Sequence, residues 1–394
     1  MTQSKYALAG VDFDKEHSVV GIFKSLYDAT LPFTADLIRQ GISFPEQGSD
    51  FSGGFQVSTR FLTTHGIEKI VIQQCTDGPG SKPVVHALYD GNNPIKLGCT
   101  AIDSIAMVVN DLICAGARPV TLVEYHAWNK PNIDITRQLA YGNLIAAELS
   151  QATITGGENA SLPAMITGPI PAKSYDMCHV ATGIITDQSL IDNPLGEGRV
   201  QSGDVAIALS SSGVHCNGIT LVWKTAIDFA NQGFDNSHRI NDRVGLLEQS
   251  IAEAILTPTT IYVQSILHIL SKYGPRVRAI ANITGEGIHN ITRVLPDDTG
   301  IELTYPKRTK EHRIFDWVQN NAGVPTREMY EDYNMGVGMA IVVDRRFSQE
   351  IIDELNLQRS QSFTAHQLGK VVDDPNKTII INTPEGETLE YKEE

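Results

Sequence analysis

The chain has 394 residues, 41% hydrophobic and 20% charged, which is the balance of an ordinary globular protein with room for two domains. Its 31 basic and 46 acidic residues leave a formal charge of -15, which excludes a nucleic-acid backbone or an anionic membrane as the main partner. Five scattered cysteines form no CxxC pair, so neither a disulfide framework nor a zinc site is expected. No apolar run approaches the ~18 residues of a membrane span and residues 1–10 lack a signal-like core, so a cytoplasmic location is expected.

Residues 1 to about 65 are mixed, with a glycine-rich patch at 48–56. From Glu68 onward, strand-like and helix-like stretches alternate. A strand at 69–75 runs into Thr76-Asp77-Gly78, and a helix follows near 100–115. In that helix Ile102, Ile105, Ala106, Val109, Leu112 and Ile113 follow the i, i+3, i+4, i+7 rule of a buried stripe. Asp103 and Asn110, seven residues apart, fall together at the edge of the stripe, facing either solvent or a cleft. A strand at 119–126, a helix at 134–150 and the segment Ala152–Gly157 follow. The polar, glycine-rich stretch at 186–204 places a domain boundary near 188. Beyond it come a strand at 204–210, a helix from Ile219 to Ala230, and a strand at 279–283 leading to another helix start. The acidic last dozen residues are expected near solvent.

Four loops repeat one style, small residues with one or two functional groups after a strand: Thr76-Asp77-Gly78, Thr155–Glu158, Ser211–Gly218 and Thr284–Gly287. Ligands bind at strand ends in α/β sheets because glycines admit them close to backbone amides. Gly80-Ser81-Lys82 only partly matches a phosphate loop. Lys82 is either a solvent-facing side chain or a point charge for phosphate. Asp77, Asp103 and Glu158 supply carboxylates from three segments, the oxygen ligands that Mg²⁺ shares with phosphates. Singly they read as a turn former, a solvated helix flank and a loop charge. His215 is either a local loop anchor or a phosphate-contacting, proton-transferring group.

Several segments occur in one order: Ala9–Asp12, Thr76–Gly78, Val109–Leu112, Thr155–Glu158, Ser212–Gly218, Leu256–Val263, Arg293–Pro296 and Met335–Met339. In this order they resemble the phosphoribosylformylglycinamidine cyclo-ligase (aminoimidazole ribonucleotide synthetase) family, over about residues 5–345. The resemblance implies an α/β (α+β) fold of two domains, 1–188 and 189–394. The N-terminal domain would bind ATP and give its strands to a dimeric β-barrel; the C-terminal α/β domain, sandwich-like, would close the cleft. It implies ATP and Mg²⁺ as cofactors, a ribonucleotide substrate, a homodimer, and neither nucleic acid nor membrane as partner. Lys82, Asp103 and His215 would be catalytic. Gly53, Gly54, Phe55, Asp77, Gly78, Asn110, Asp111, Gly157, Asn217 and Thr259 would bind the nucleotide, and Asp77, Asp103 and Glu158 the metal.

The sequence departs from the family pattern at Ala7–Leu8, at Pro79, Ser81 and Pro83, at Asn159–Ala164 and at Glu286. Those changes leave two other readings open: a paralogue using the same iminophosphate chemistry on another amide or amidine, and a non-catalytic nucleotide sensor.

Overall fold

The computed structural model describes residues 13–45, 52–358 and 362–392. Ala7–Leu8, Ala9–Asp12 and the start of the glycine-rich patch lie outside them. In the first half the order is α1 (Phe13–Thr30), β1 (Val71–Asp77), α2 (Lys82–Leu88), α3 (Cys99–Cys114), β2 (Arg118–Trp128), α4 (Ile133–Ser150), β3 (Thr153–Ser161) and β4 (Tyr175–Ile185). The strands form one sheet in the order β1-β4-β2-β3. Strand β4 pairs antiparallel with both β1 and β2, and β2 pairs parallel with β3.

Local signals explain the helices. Asn132 caps α4 by accepting N–H bonds from Asp134 and Ile135 at 3.1 Å each. The predicted stripe of α3 is buried as expected, with Ile105, Val109 and Ile113 fully enclosed. Helix α4 packs on α3 so closely that an added Cβ on Gly142 would lie 2.1 Å from the Gly98 carbonyl oxygen. The opposite face of the sheet is only partly covered: Ile72 is 62% and Tyr125 38% exposed.

The second half adds β5 (Val205–Ser210), α5 (Ile219–Ala226), α6 (Val263–Tyr273), β6 (Val277–Asn282), β7 (Thr299–Thr304), β8 (Val337–Val343), β9 (Ala365–Asp373), β10 (Ile379–Asn382) and β11 (Thr388–Tyr391). They form a seven-stranded sheet in the order β6-β8-β5-β9-β7-β10-β11, antiparallel except for β7 with β10. Strand β5 shows why its sequence is apolar throughout. Ala206 and Ala208 enter a core made largely of second-half residues. Val205, Ile207 and Leu209 enter another core, shared with Ile102, Ile105 and Leu122 of the first half. The two halves are thus joined through continuous apolar packing.

Some elements differ from expectation. The helix from Ile219 ends at Ala226, with Asp228 at φ +55°, and a separate short turn of helix covers Phe229–Gln232. The predicted helix after Thr284–Gly287 is a 3₁₀ segment, Gly287–Val294. Helix α1 falls in the stretch read only as mixed. The chain end is solvent-facing as expected at Glu385–Thr388, Glu390 and Lys392, but the edge strand β11 turns Leu389 and Tyr391 inward.

Two stability predictions follow from this packing. Alanine normally improves a helix over glycine by about 1 kcal/mol. At Gly142 the clash with Gly98 outweighs that, and Gly142→Ala should lower unfolding free energy in urea by about 1–2 kcal/mol. A stabilised variant would show that the helix pair has slack.

Burial holds the pKa of His86 and His126 down to about 4 and that of His215 down to about 3, against 6.5 normally. Their folded-state pKa values are therefore depressed: below pH 6.5 the unfolded chain binds protons that the folded chain refuses. Stability should hold above about pH 6.5 and fall as pH drops towards 4, by up to about 1.4 kcal/mol per pH unit for each histidine. Neither ring nitrogen of His126 has a hydrogen-bond partner, and its ring stacks on Phe23 with centroids 4.3 Å apart. His126→Phe should flatten this slope by one proton, measured by urea midpoints at pH 7, 6 and 5; an unchanged slope would contradict the assignment.

Candidate functional site

The loop after β1, the helix α3, and the second-half segments 211–218, 256–262 and 282–287 meet at the seam between the halves. Gly80 sits at φ +60°, where an added Cβ would come 3.1 Å from the Cys216 carbonyl oxygen, so the first-half loop touches the second. Ser81 Oγ lies 2.8 Å from Thr220 Oγ1 and accepts from Trp223 Nε1 at 3.2 Å.

Lys82 and Asp103 do come together, but in a way the sequence does not reveal. Lys82 opens α2 with its side chain fully buried, and Nζ lies 2.8 Å from Asp103 Oδ2. It also donates to the Thr257 carbonyl at 3.2 Å. Burial is the strongest single effect and would lower the Lys82 pKa; the Asp103 carboxylate, together with Cys99 and Cys216, raises it on balance, so the ammonium stays charged. The other Asp103 oxygen accepts from Thr259 N at 2.7 Å and Thr259 Oγ1 at 2.6 Å, while Cys99 Sγ lies 2.9 Å from Oδ2. Seven residues on, Asn110 Nδ2 donates to the Thr260 carbonyl at 2.9 Å and Oδ1 accepts from Tyr262 N at 3.1 Å. The edge of the α3 stripe therefore faces protein, neither solvent nor an open cleft. Asp103, Asn110 and Thr259 are committed to joining the halves, and Lys82 is enclosed with them. The structure thus gives these side chains protein partners, where metal, nucleotide or phosphate were expected.

Asp77 and Glu158 are also kept apart. In the sheet Asp77 is opposite His179, His179 opposite Glu124, and Glu124 opposite Gly157. That row crosses three strand spacings, roughly 14 Å at ~4.8 Å each. One ion cannot bridge Asp77 and Glu158 of one chain, which corrects the expected three-carboxylate metal site. Among the described residues, no group of three His, Cys, Asp or Glu side chains is arranged to hold a metal.

Asp111, one residue beyond the buried Asn110, is instead close enough to Asp77 to act on its charge. Both are exposed. Asp77 Oδ1 accepts the Gly78 N–H at 2.7 Å. Its pKa is raised by burial first, against the opposing Gly78 bond, and further by Asp111. Asp111 Oδ1 accepts from Asn282 Nδ2 of the second half at 2.8 Å, and Cys75 Sγ lies 3.7 Å from Oδ2. Sequence reasoning missed Asn282 and Cys75. The signal for Asn282 was its place at a strand end before a glycine loop, the same position that marked Asp77.

His215 is 3% exposed with φ +54°, and its Nε2 accepts the Ser212 N–H at 3.2 Å. Gly338 is required beside it, since a Cβ there would lie 2.6 Å from His215 Cε1. Of its two readings, the geometry matches the local anchor. Asn217 is different: its side-chain Nδ2 is buried without a hydrogen-bond partner, against Gly285 of the neighbouring loop. Gly53 packs on the Thr155 backbone, where an added Cβ would lie 2.4 Å from the carbonyl oxygen; Gly54 and Phe55 follow it, half-buried. Gly157 admits Glu124, whose Cγ would be 2.6 Å from an added Cβ, and Gly78 passes close to the Met177 carbonyl.

Comparison with known proteins follows the same two halves. Residues 67–185 match the family described as AIR synthase related protein, N-terminal domain, and residues 201–382 its C-terminal domain. The chain is 31% identical over 385 residues to a phosphoribosylformylglycinamidine cyclo-ligase of Desulfotalea psychrophila, covering 98% of each. It is 35% identical over 307 residues to that of Pyrococcus horikoshii, covering 78% of this chain and 81% of the relative. Its fold resembles hydrogenase maturation protein HypE in complex with ATP, with TM-score 0.56 and 12% identity over 88% of this chain and 89% of that one. It likewise resembles a thiamine-monophosphate kinase from Stenotrophomonas maltophilia, with TM-score 0.56 and 14% identity over 91% and 96%. No helix among the described residues is long and apolar enough to cross a membrane. The full-length similarity, carried on a mixed α/β fold with both domains matched in order, shows that the chain belongs to the phosphoribosylformylglycinamidine cyclo-ligase family.

Proposed function

We propose that the chain closes the imidazole ring of aminoimidazole ribonucleotide from formylglycinamidine ribonucleotide, using ATP and releasing ADP and phosphate, as a step of purine biosynthesis. The observation that carries this reading is similarity over 98% of the chain to cyclo-ligases. ATP phosphorylates the formyl amide oxygen, which turns a poor leaving group into phosphate. The amidine nitrogen attacks that carbon, and loss of phosphate leaves the ring. No covalent nucleophile is needed, so the chain's contribution is positioning and charge.

The residues at the seam fit those tasks. Asn217 Nδ2 is an unpartnered donor, a group that can take a substrate oxygen without breaking a bond in the protein. Burial makes the Asp77 carboxylate costly to ionise and Asp111 adds repulsion to it, and that repulsion is what a bound cation relieves. Two protein carboxylates are enough for Mg²⁺, which takes its remaining ligands from phosphates and water. We assign Asp77 and Asp111 to hold it; when bound, the ion supplies positive charge at the phosphates. Asn282 fixes Asp111 from the second half, so the ligand pair is complete only when the halves are closed.

The N-terminal sheet supports assembly with a second copy. Its outer face exposes Ile72 and Tyr125, and β1 and β3 are edge strands. We propose a homodimer through this sheet. We further propose that the protein works in the cytoplasm and divides into domains near residue 188.

A coupled ADP-release assay with formylglycinamidine ribonucleotide tests the activity, and release no faster than without substrate would reject it. Asp111→Asn and Asp77→Asn should each raise the Mg²⁺ concentration for half-maximal rate and lower kcat/KM by roughly 10²-fold, the usual scale for a lost charge contact. Asp103→Asn should instead act mainly on folding, because it leaves the Lys82 charge buried and unpaired, at a cost of about 3–5 kcal/mol. Light scattering at micromolar concentration should return a dimeric mass, and Ile72→Lys should shift it towards monomer; a monomeric wild type would refute the assembly.

A further inference from the structure

Beneath the sheet lies a polar cluster that the proposed reaction does not use. Glu124 is 4% exposed, and His126, His179, Asn143 and Ser104 are fully buried. They lie between β2, β4 and the helices α3 and α4, with Phe23 and Trp128 flanking His126. Asn143 Nδ2 donates to Glu124 Oε2 at 2.5 Å. His179 Nε2 is 3.5 Å and His126 Nε2 3.8 Å from that oxygen, beyond hydrogen-bond length, and neither nitrogen has a partner. On its other side, His179 Nδ1 makes a full 2.9 Å contact with Ser104 Oγ. Ser104 Oγ in turn donates to the Asp77 carbonyl oxygen at 3.3 Å.

One arrangement of protons satisfies both Ser104 contacts at once. A carbonyl oxygen only accepts, so the single Ser104 hydroxyl hydrogen points at Asp77. Ser104 Oγ must then accept from His179, which puts a hydrogen on Nδ1.

We infer that His179 is a positioning residue for the reaction: through its Nδ1–H and Ser104 it fixes the end of β1, and with it the direction in which Asp77 presents its carboxylate. His179 is the residue directly opposite Asp77 in the sheet, so ladder and side-chain relay hold the same point. This role rests on the assignment of Asp77 to the magnesium–phosphate site. Glu124 and Asn143 close off the inner side of the ring, which leaves Ser104 as its hydrogen-bond partner.

Two measurements test it. In ¹⁵N-labelled wild-type protein at pH 7, the His179 Nδ1 resonance should be that of a protonated nitrogen; a bare Nδ1 with the hydrogen on Nε2 would overturn the relay. In the ADP-release assay, Ser104→Ala and His179→Gln should each raise the Mg²⁺ concentration for half-maximal rate about five- to tenfold, the worth of one hydrogen bond. His179→Asn, whose amide nitrogen can stand where Nδ1 stood, should restore it. A purely structural role would lower the melting temperature of all three variants and leave Mg²⁺ dependence unchanged, which refutes the inference. Asp77→Asn is the control: if it is silent, the reading of Asp77 has failed and the positioning role falls with it, whereas a shifted Asp77→Asn beside a silent Ser104→Ala rejects the relay alone.

Discussion

The buried Lys82–Asp103 pair is the constraint on which the rest of the seam depends. Neither side chain is exposed, so each charge relies on its partner and on hydrogen bonds. The first half supplies both charges, but the second half supplies the donors and acceptor that complete them, at Thr257 and Thr259. Opening the seam would leave an ion pair short of three hydrogen bonds in a place enclosed by protein. The halves are therefore held in one arrangement, and the apolar core around Ile105, Ile207 and Tyr262 reinforces it. That arrangement also orients the site. Asn110 and Asp111 are about 100° apart on α3. With Asn110 turned into the seam, Asp111 is turned out of it, towards Asp77.

The glycines at the loops serve two different purposes. Gly338 makes room for His215 and Tyr262, and Gly157 makes room for Glu124. These are close approaches within the protein, and a larger residue would disrupt packing before it met a ligand. Gly285 borders the Asn217 amide, where an added Cβ would lie 3.2 Å from Oδ1 and crowd a side chain whose Nδ2 is left unpartnered. Glycine-rich loops at strand ends thus do not all bind ligands, even when they share one sequence style.

Much of the fold was legible because its elements are strongly patterned. The α3 stripe follows directly from side-chain periodicity, and α4 and β5 lie within a residue or two of the stretches read as helix and strand. Other features required knowledge that a linear pattern lacks. Asp103 and Asn110 sit at the edge of a stripe, and a helical wheel cannot say whether water or another domain covers that edge. The separation of Asp77 from Glu158 depends on β4 and β2 lying between them, and strand order is set by long-range pairing. His215 shows the same limit: a phosphate-contacting histidine and an enclosed local anchor share one sequence, and only burial separates them. The 3₁₀ segment at Gly287–Val294 carries helix-like residues, but its start at φ +53° next to the Tyr330 carbonyl gives a tighter turn.

The electrostatics of the seam follow from these placements. A chain of formal charge -15 must accept a triphosphate and a phosphorylated substrate. Lys82 looked like the charge that would draw them in, yet its ammonium is neutralised by Asp103 and has no exposed surface. Asp77 and Asp111 add two further negative groups at the opening. Such a site repels a bare nucleotide and suits one that arrives with a cation. In the proposed assignment, selectivity for the metal-bound form follows from where the lysine is placed: a free lysine beside Asp77 would attract phosphates without the ion. On that proposal, burying the charge leaves Asp77 and Asp111 as the groups on which binding turns. The same ion pair that holds the halves together therefore also sets the sign of the site.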